Sequence, residues 1–230
     1  MENAIKRPRG RPRGLTAQGM DVRRRLYRTS LRLIAQRGYE RTTLRDVAQH
    51  AGVSVGLLYR YFPSKHSVLM ALYEELSIEF ASRAGAMPAG RWRDRAVFAL
   101  ETSLEVLRPH RRALTALVPV LVGDPAEGLF APATAFSRAR VQEVFVEAVR
   151  GATDAAPVKA AASLGRLLYV AHLAVLLWWL LDKSTDQTAT KGLLTLIRRT
   201  MPRLALAWRL PFARSLALTA DDLLRQALAG

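Results

Sequence analysis

From Gln18 to Arg37 the apolar residues Val22, Leu26, Leu31, Leu33 and Ile34 recur near helical spacing among arginines, and Gly38 follows as a stop, which predicts a first helix. Thr43 stands three residues before Asp46, a capping-box-like arrangement with Asp in place of Glu, and opens a short second helix that runs to Ala51 ahead of Gly52. Ser54 is placed to cap a third short helix through Tyr61, which Pro63 ends, and Ser64 to cap a fourth. Beyond that point the same period predicts helices near 64–84, 92–107, 110–121, 130–150, 157–182, 186–200, 202–209 and 216–228, with prolines and glycines at the breaks. No stretch alternates convincingly enough for a strand, and no repeat of solenoid length appears, so the predicted fold class is all-α. Residues 1–17 mix arginines with Pro8, Pro12, Gly10 and Gly14 without any period and read as a disordered basic arm. A small helical head over 18–63 and a larger helical body over 64–230 follow.

Composition narrows the class. About half of the 230 residues are hydrophobic, enough to build a core, and there is no cysteine, which removes disulfides, thiolate metal sites and thiol catalysis. The formal charge of +16 is uneven: the first 45 residues hold 13 basic and 3 acidic side chains, and the remaining 185 hold 22 and 16. A basic end on a nearly balanced body points to a polyanion at that end, nucleic acid or an anionic membrane surface. The basic start is not followed by an apolar segment and cleavage site, so a cytoplasmic protein is expected. The most apolar stretch, Leu167 to Leu181, is shorter than the roughly 20 residues of a bilayer span and contains His172, so it is expected as a buried helix rather than a membrane anchor. None of the metalloprotease, nucleophile-elbow, phosphate-loop or dinucleotide motifs occurs, and His50, His66, His110 and His172 lack a carboxylate partner in motif spacing. No catalytic residue, cofactor or metal is expected.

The second and third helices, joined by a tight turn at Gly52 with small residues Ala48 and Ala51 at the crossing, form a helix-turn-helix whose core is Val47, Val53, Leu58 and Phe62. Its second helix presents Val55, Gly56, Leu57, Tyr59 and Arg60 outward, a face slim enough near Gly56 for close approach to base edges in a major groove. The run Thr42-Thr43-Leu44-Arg45-Asp46-Val47-Ala48, then Ala51-Gly52-Val53-Ser54-Val55-Gly56-Leu57-Leu58-Tyr59-Arg60-Tyr61-Phe62-Pro63-Ser64-Lys65, closely resembles the tetracycline-repressor (TetR) family of bacterial transcription regulators. The resemblance is strong over residues 20 to 70 and elsewhere extends only to length, helix count and the apolar late helix. It implies that Thr43 and Ser54 cap their helices and donate to phosphates of double-stranded DNA, with Tyr59, Tyr61 and Lys65 also on the backbone. It implies base reading by Arg45 and by Val55, Gly56, Leu57 and Arg60. Many relatives carry Lys and Thr where this chain has Val55 and Leu57, which shifts the expected readout toward methyl contacts and DNA shape.

Two further regions carry expectations. Pro8-Arg9-Gly10-Arg11-Pro12 resembles the core of an AT-hook, with Arg9 and Arg11 in a narrow minor groove; the alternative is a solvated basic tail without selectivity. Between Leu164 and Leu181, the stripe Leu164, Leu167, Leu168, Ala171, His172, Val175, Leu176, Trp179 and Leu180 is apolar, and so is the opposite face. A helix apolar all round must be covered on both sides. The family builds a dimer interface from such a late helix, so a homodimer is expected, with Leu173, Leu177, Trp178 and Leu181 at the interface. The resemblance also implies a cavity for a small-molecule effector of unknown identity. Trp92, Phe98, Tyr169 and Trp179 are candidate walls and His172 a candidate polar handle, the other reading of all five being ordinary core. Arg108, His110, Arg111 and Arg112 around Pro109 read as a solvated basic loop or as an anion site. The sequence thus anticipates a ligand-responsive, dimeric regulator, most often a repressor, on a palindromic operator; an activator or an architectural DNA binder is the alternative.

Overall fold

The computed structural model describes residues 17–155 and 157–228, and its elements are helical throughout. Among the described residues ten α-helices follow in chain order: α1 (Ala17–Arg37), α2 (Leu44–His50), α3 (Val55–Tyr61), α4 (Lys65–Ala84), α5 (Trp92–Leu107), α6 (Arg111–Gly123), α7 (Ala135–Arg150), α8 (Val158–Leu181), α9 (Thr188–Ala207) and α10 (Pro211–Leu228). Among the described residues there is no strand. The predicted arm, with Arg9 and Arg11, lies outside the described residues except for Ala17. The chain divides into two compact units, one reaching to Lys65 and the other starting at His66.

In the first unit, α1 turns Leu26, Leu33 and Ile34 inward, and Val47, Ala48, Leu58 and Phe62 complete a small core. Val53, expected in that core, is only partly buried. Local chemistry sets each helix end. Gly38 and Gly52 take φ of +85° and +63°, the left-handed conformation that lets a helix terminate and the chain turn away. Thr43 and Asp46 form a reciprocal capping box: the Asp46 amide donates to Thr43 Oγ1 at 3.1 Å and the Thr43 amide to Asp46 Oδ2 at 3.1 Å. Ser54 Oγ accepts from the Leu57 amide at 3.2 Å. These caps satisfy amides that the helix ladder leaves without partners.

In the second unit the close pair is α7 on α8, and it is made possible by Gly165: a Cβ there would stand 2.5 Å from the Val146 Cα. Trp92, Val149, Ala161, Leu164 and Trp208 form an apolar cluster beside that crossing. A buried polar joint fastens α10 to α8. Arg166 donates to Asp221 through Nε, at 2.6 Å, and through Nη2, while Ser163 Oγ donates to Asp221 Oδ2 at 2.8 Å. Burial pushes the Asp221 carboxyl up, but these bonds and the charges of Arg166 and Arg225 outweigh it and hold the group below its ordinary range.

Three boundaries differ from expectation. Pro202, expected as a break, lies inside α9, because Met201 and Ala205 keep packing on the Trp92 cluster and carry the helix through the missing hydrogen bond. α10 begins at Pro211 rather than near 216, proline being suited to the first helical position, where the N–H has no intrahelical partner. α7 begins at Ala135 rather than 130, after a 3₁₀ turn over Pro132–Thr134 whose Thr134 hydroxyl is tied to the Ala131 carbonyl at 2.8 Å. α8 matches its expected bounds to within one residue at each end, and at 24 residues it is by length and composition the one helix among the described residues able to cross a membrane. Its inner face is instead packed with Tyr169, His172 and Trp179, and its Arg166 is ion-paired to α10.

Candidate functional site

The exposed surface of the first unit is organised by α3. Leu58 and Phe62 anchor the helix in the core, which turns Val55, Gly56, Tyr59 and Arg60 to solvent, with Leu57 and Tyr61 at the margins. A Cβ built at Gly56 would meet nothing within 4 Å, so nothing inside the unit asks for glycine there; what a bare Cα provides is room for something outside to approach the backbone. Tyr59 is 51% exposed rather than tucked beneath Phe62, whose ring is covered instead by the Arg23 guanidinium at 5.3 Å. Arg45 stands exposed on α2.

The two capping residues are not equally free to donate. Thr43 Oγ1 gives its hydrogen to Asp46 Oδ2 at 2.6 Å, and that bond, first among several, holds the Asp46 carboxyl below its ordinary range. Ser54 Oγ accepts from the Leu57 amide and donates to no residue in that cap. Lys65, at the first turn of α4, donates to the Tyr39 carbonyl at 2.8 Å and lies 4.1 Å from the Tyr39 ring centre, so its ammonium is pinned in place with donors to spare. A feature that the sequence reading missed is a polar groove along α1. Arg24, Arg28 and Arg32 follow at one-turn spacing and, with Arg25, Asp21, Thr29 and His50, line about 530 Å³. Arg28 and Arg32 make no ion pair among the described residues, so the groove is open to anions; one-turn spacing of charge along a helix was the signal that was available.

The second unit encloses a different kind of site, an apolar cavity of about 410 Å³ between α4, α5, α6, α7 and α8. Of the expected wall residues it brings together Tyr169, His172 and Trp179. Trp92 and Phe98 do not line it: Trp92 is buried in the cluster with Val149 and Trp208, where its amide is held by Asp154 at 2.8 Å, and Phe98 lies away on α5. Leu173 and Leu177, expected at a subunit interface, are on the cavity wall, whereas Trp178 and Leu181 point outward, 50% and 53% exposed. The reason is rotation: α8 is apolar all round, and only its packing on α7, α10 and α6 decides which leucines face in. Ala171, expected on the buried stripe, is exposed.

His172 is the polar centre of this cavity. It is 3% exposed, ringed by Phe80, Phe145 and Tyr169, and burial pushes its pKa down to about 3, so the imidazole is neutral. Nε2 meets Ser103 Oγ at 2.8 Å; Nδ1 has no partner. Burial likewise pushes the Tyr169 phenol up to about 12. Arg138 also lines the cavity but is turned to the neighbouring loop, donating to the Leu129 carbonyl at 2.9 Å and to Ala131 and Thr134. Arg111, read from sequence as part of a solvated basic loop or an anion site, instead stacks on Trp179 and donates from Nη2 to the Trp179 and Asp182 carbonyls at 2.8 and 2.7 Å. It closes the C-terminus of α8, where unpaired carbonyls and the helix dipole favour a cation. Arg108 and Arg112 remain exposed. Among the described residues no group of histidines and carboxylates is arranged to hold a metal.

The first unit is thus a helix-turn-helix head with a slim exposed second helix, and the second is a helical body with an apolar cavity. Residues 26–72 match the bacterial regulatory proteins, tetR family. Over 70 residues the chain is 44% identical to the HTH-type transcriptional repressor KstR of Rhodococcus jostii, covering 30% of this chain and 32% of that protein. Over 54 residues it is 44% identical to the nucleoid occlusion factor SlmA of Haemophilus influenzae, covering 24% and 25%. The matched stretch thus spans about a third or less of these relatives' length. The whole fold is shared with a tetR-family transcriptional regulator from Streptomyces coelicolor, at TM-score 0.61 and 20% identity over 91% of this chain and 97% of that one. It is shared too with Salmonella enterica GusR, at TM-score 0.61 and 19% identity over 83% and 97%. The N-terminal stretch is thus similar to bacterial regulatory proteins of the tetR family, and the chain shares the fold of solved tetR-family regulators.

Proposed function

We propose that this protein is a dimeric, ligand-responsive DNA-binding regulator of transcription, a repressor that holds a palindromic operator and is released by a small apolar molecule. The observation that carries the reading is the α3 surface, on which capping at Ser54 and anchoring at Leu58 and Phe62 present a Cα-only notch at Gly56 between Val55 and Arg60. Arg45 and Arg60 read guanine edges, Val55 and Leu57 meet thymine methyls, and Ser54, Tyr59, Tyr61 and Lys65 set the register on phosphates, the Thr43 donors being held by Asp46. The α1 arginine groove adds phosphate affinity. Two heads bind half-sites about 34–36 Å apart. Trp178 and Leu181 on α8 give the second copy an apolar face to cover, and the cavity gives the effector its place. Binding of effector to a conformation with another head spacing lowers DNA affinity by the factor by which DNA lowers effector affinity. The protein works in the cytoplasm, where its DNA is.

Selection of binding sequences from a random duplex pool, with the full chain at near-physiological salt and its mass recorded alongside, tests this. Recovery of one palindrome by a dimer is the expected result. DNA retained without sequence enrichment makes the protein an architectural binder driven by charge, and placement of the recovered site relative to its promoter separates repressor from activator. Removal of residues 1–17 is expected to weaken binding and flatten its salt dependence.

A further inference from the structure

The His172–Ser103 pair contains an imbalance that can be counted. The neutral imidazole carries one N–H and the serine one O–H, two polar hydrogens in all, and the pair makes a single contact at 2.8 Å between Nε2 and Oγ. If Ser103 donates to Nε2, the hydrogen on Nδ1 has no acceptor. If Nε2 donates to Ser103, the serine hydrogen has none. Either tautomer leaves one buried donor unsatisfied among the described residues, at the wall of an apolar cavity and within a shell of Phe80, Phe145 and Tyr169. An unmade buried hydrogen bond is costly, and a polar site of this kind selects molecules that complete it. Resting on the effector reading above, we propose that the cavity takes an uncharged, largely apolar molecule bearing one oxygen acceptor, a ketone, ester or comparable carbonyl, seated against the His172–Ser103 pair.

Charge argues for the neutral class. Burial keeps His172 an imidazole, not an imidazolium, and the Arg138 guanidinium on the same wall turns Nη1 to the Leu129, Ala131 and Thr134 oxygens of its loop. A carboxylate drawn to the pair would give up its water against a neutral partner. A plain hydrocarbon would fill the volume and leave the donor as it is.

The test titrates the full-length protein with straight-chain methyl ketones, alkanes and carboxylates of matched carbon number, from short to long, reading tryptophan fluorescence, to which cavity-lining Trp179 contributes, and ¹⁵N shifts of the histidine rings. At the best-fitting length the ketone is expected to bind about tenfold or more tighter than the alkane, the worth of one buried hydrogen bond, and tighter than the carboxylate. The His172 ring nitrogens should shift on addition of the ketone and stay in place with the alkane. His172→Phe, an aromatic replacement among aromatic neighbours, should bind ketone and alkane alike. Equal affinity for ketone and alkane in the unaltered protein, or preference for the carboxylate, overturns the inference and leaves the effector reading standing. Failure of every series at every length overturns both. The ring-nitrogen comparison needs no variant, so poor folding of His172→Phe does not remove the test.

Discussion

Two glycines separate the two halves of this molecule. Gly56 in the head stands where an added Cβ would touch nothing, and Gly165 in the body stands where the same atom would be driven to 2.5 Å from the Val146 Cα and 2.8 Å from its nitrogen. One gives room to something outside the chain; the other lets α7 and α8 approach each other. The contrast runs through both units. The head keeps its working residues on the surface, set by caps a few positions away, and leaves few of them engaged internally. The body turns its working residues inward, where what matters is which side chains meet across helices far apart in sequence.

Substitutions at the two glycines break this comparison most directly. Gly165→Ala should cost about 3 kcal/mol, since the obstacle is backbone that cannot rotate away, and thermal unfolding should show a fall of roughly 6–12 °C in Tm. An unchanged Tm would mean that α7 and α8 are not so closely held. The body's acid sensitivity should come next. His172 is neutral when folded, with a pKa of about 3 against an ordinary 6.5, so it costs nothing above pH 6.5, where both folded and unfolded forms are neutral. Below that the unfolded chain takes up a proton that the folded one refuses, and stability falls by about 1.4 kcal/mol per unit as pH drops from 6.5 toward 3. Denaturation of His172→Phe across that range should show a slope shallower by that amount; parallel slopes would place the acid response elsewhere.

Head substitutions should spare stability and strike binding. Arg45→Ala or Arg60→Ala should lose about 1–3 kcal/mol on the selected palindrome and little on random duplex, measured by titration at fixed salt. Equal losses on both would make them phosphate contacts. Gly56→Ala sharpens the contrast with Gly165: helix propensity predicts a gain of about 0.5 kcal/mol in stability, together with weaker operator binding. Unchanged binding would mean that nothing approaches α3 at that point.

Much of the head was legible because its determinants are short-range. Thr43 and Asp46, Ser54 and Leu57, and Gly38 and Gly52 each act within a turn of where they stand, and the anchors Leu58 and Phe62 dictate by helical spacing which neighbours face out. The body was legible only as a set of helices. Its most apolar helix, α8, carries no polar stripe to set its rotation, which is why Leu173 and Leu177 were assigned to its outer face and found on the cavity wall. Arg111 has the same lesson: beside Pro109 it reads as part of an exposed basic cluster, yet its guanidinium closes a helix that ends about seventy residues later.

By itself, then, the amino-acid sequence determined an all-helical chain, the helix-turn-helix and its exposed α3 face, and the concentration of positive charge at the N-terminal end, because periodicity, capping and composition are local or additive. Tertiary structure alone decided the cavity, the encounter of His172 with Ser103 across 69 positions and the clasp of Asp221 by Arg166 across 55. Each of these depends on how helices rotate and cross, and that is settled by packing an entire core at once, with a position such as Gly165 acting only through the helix it meets.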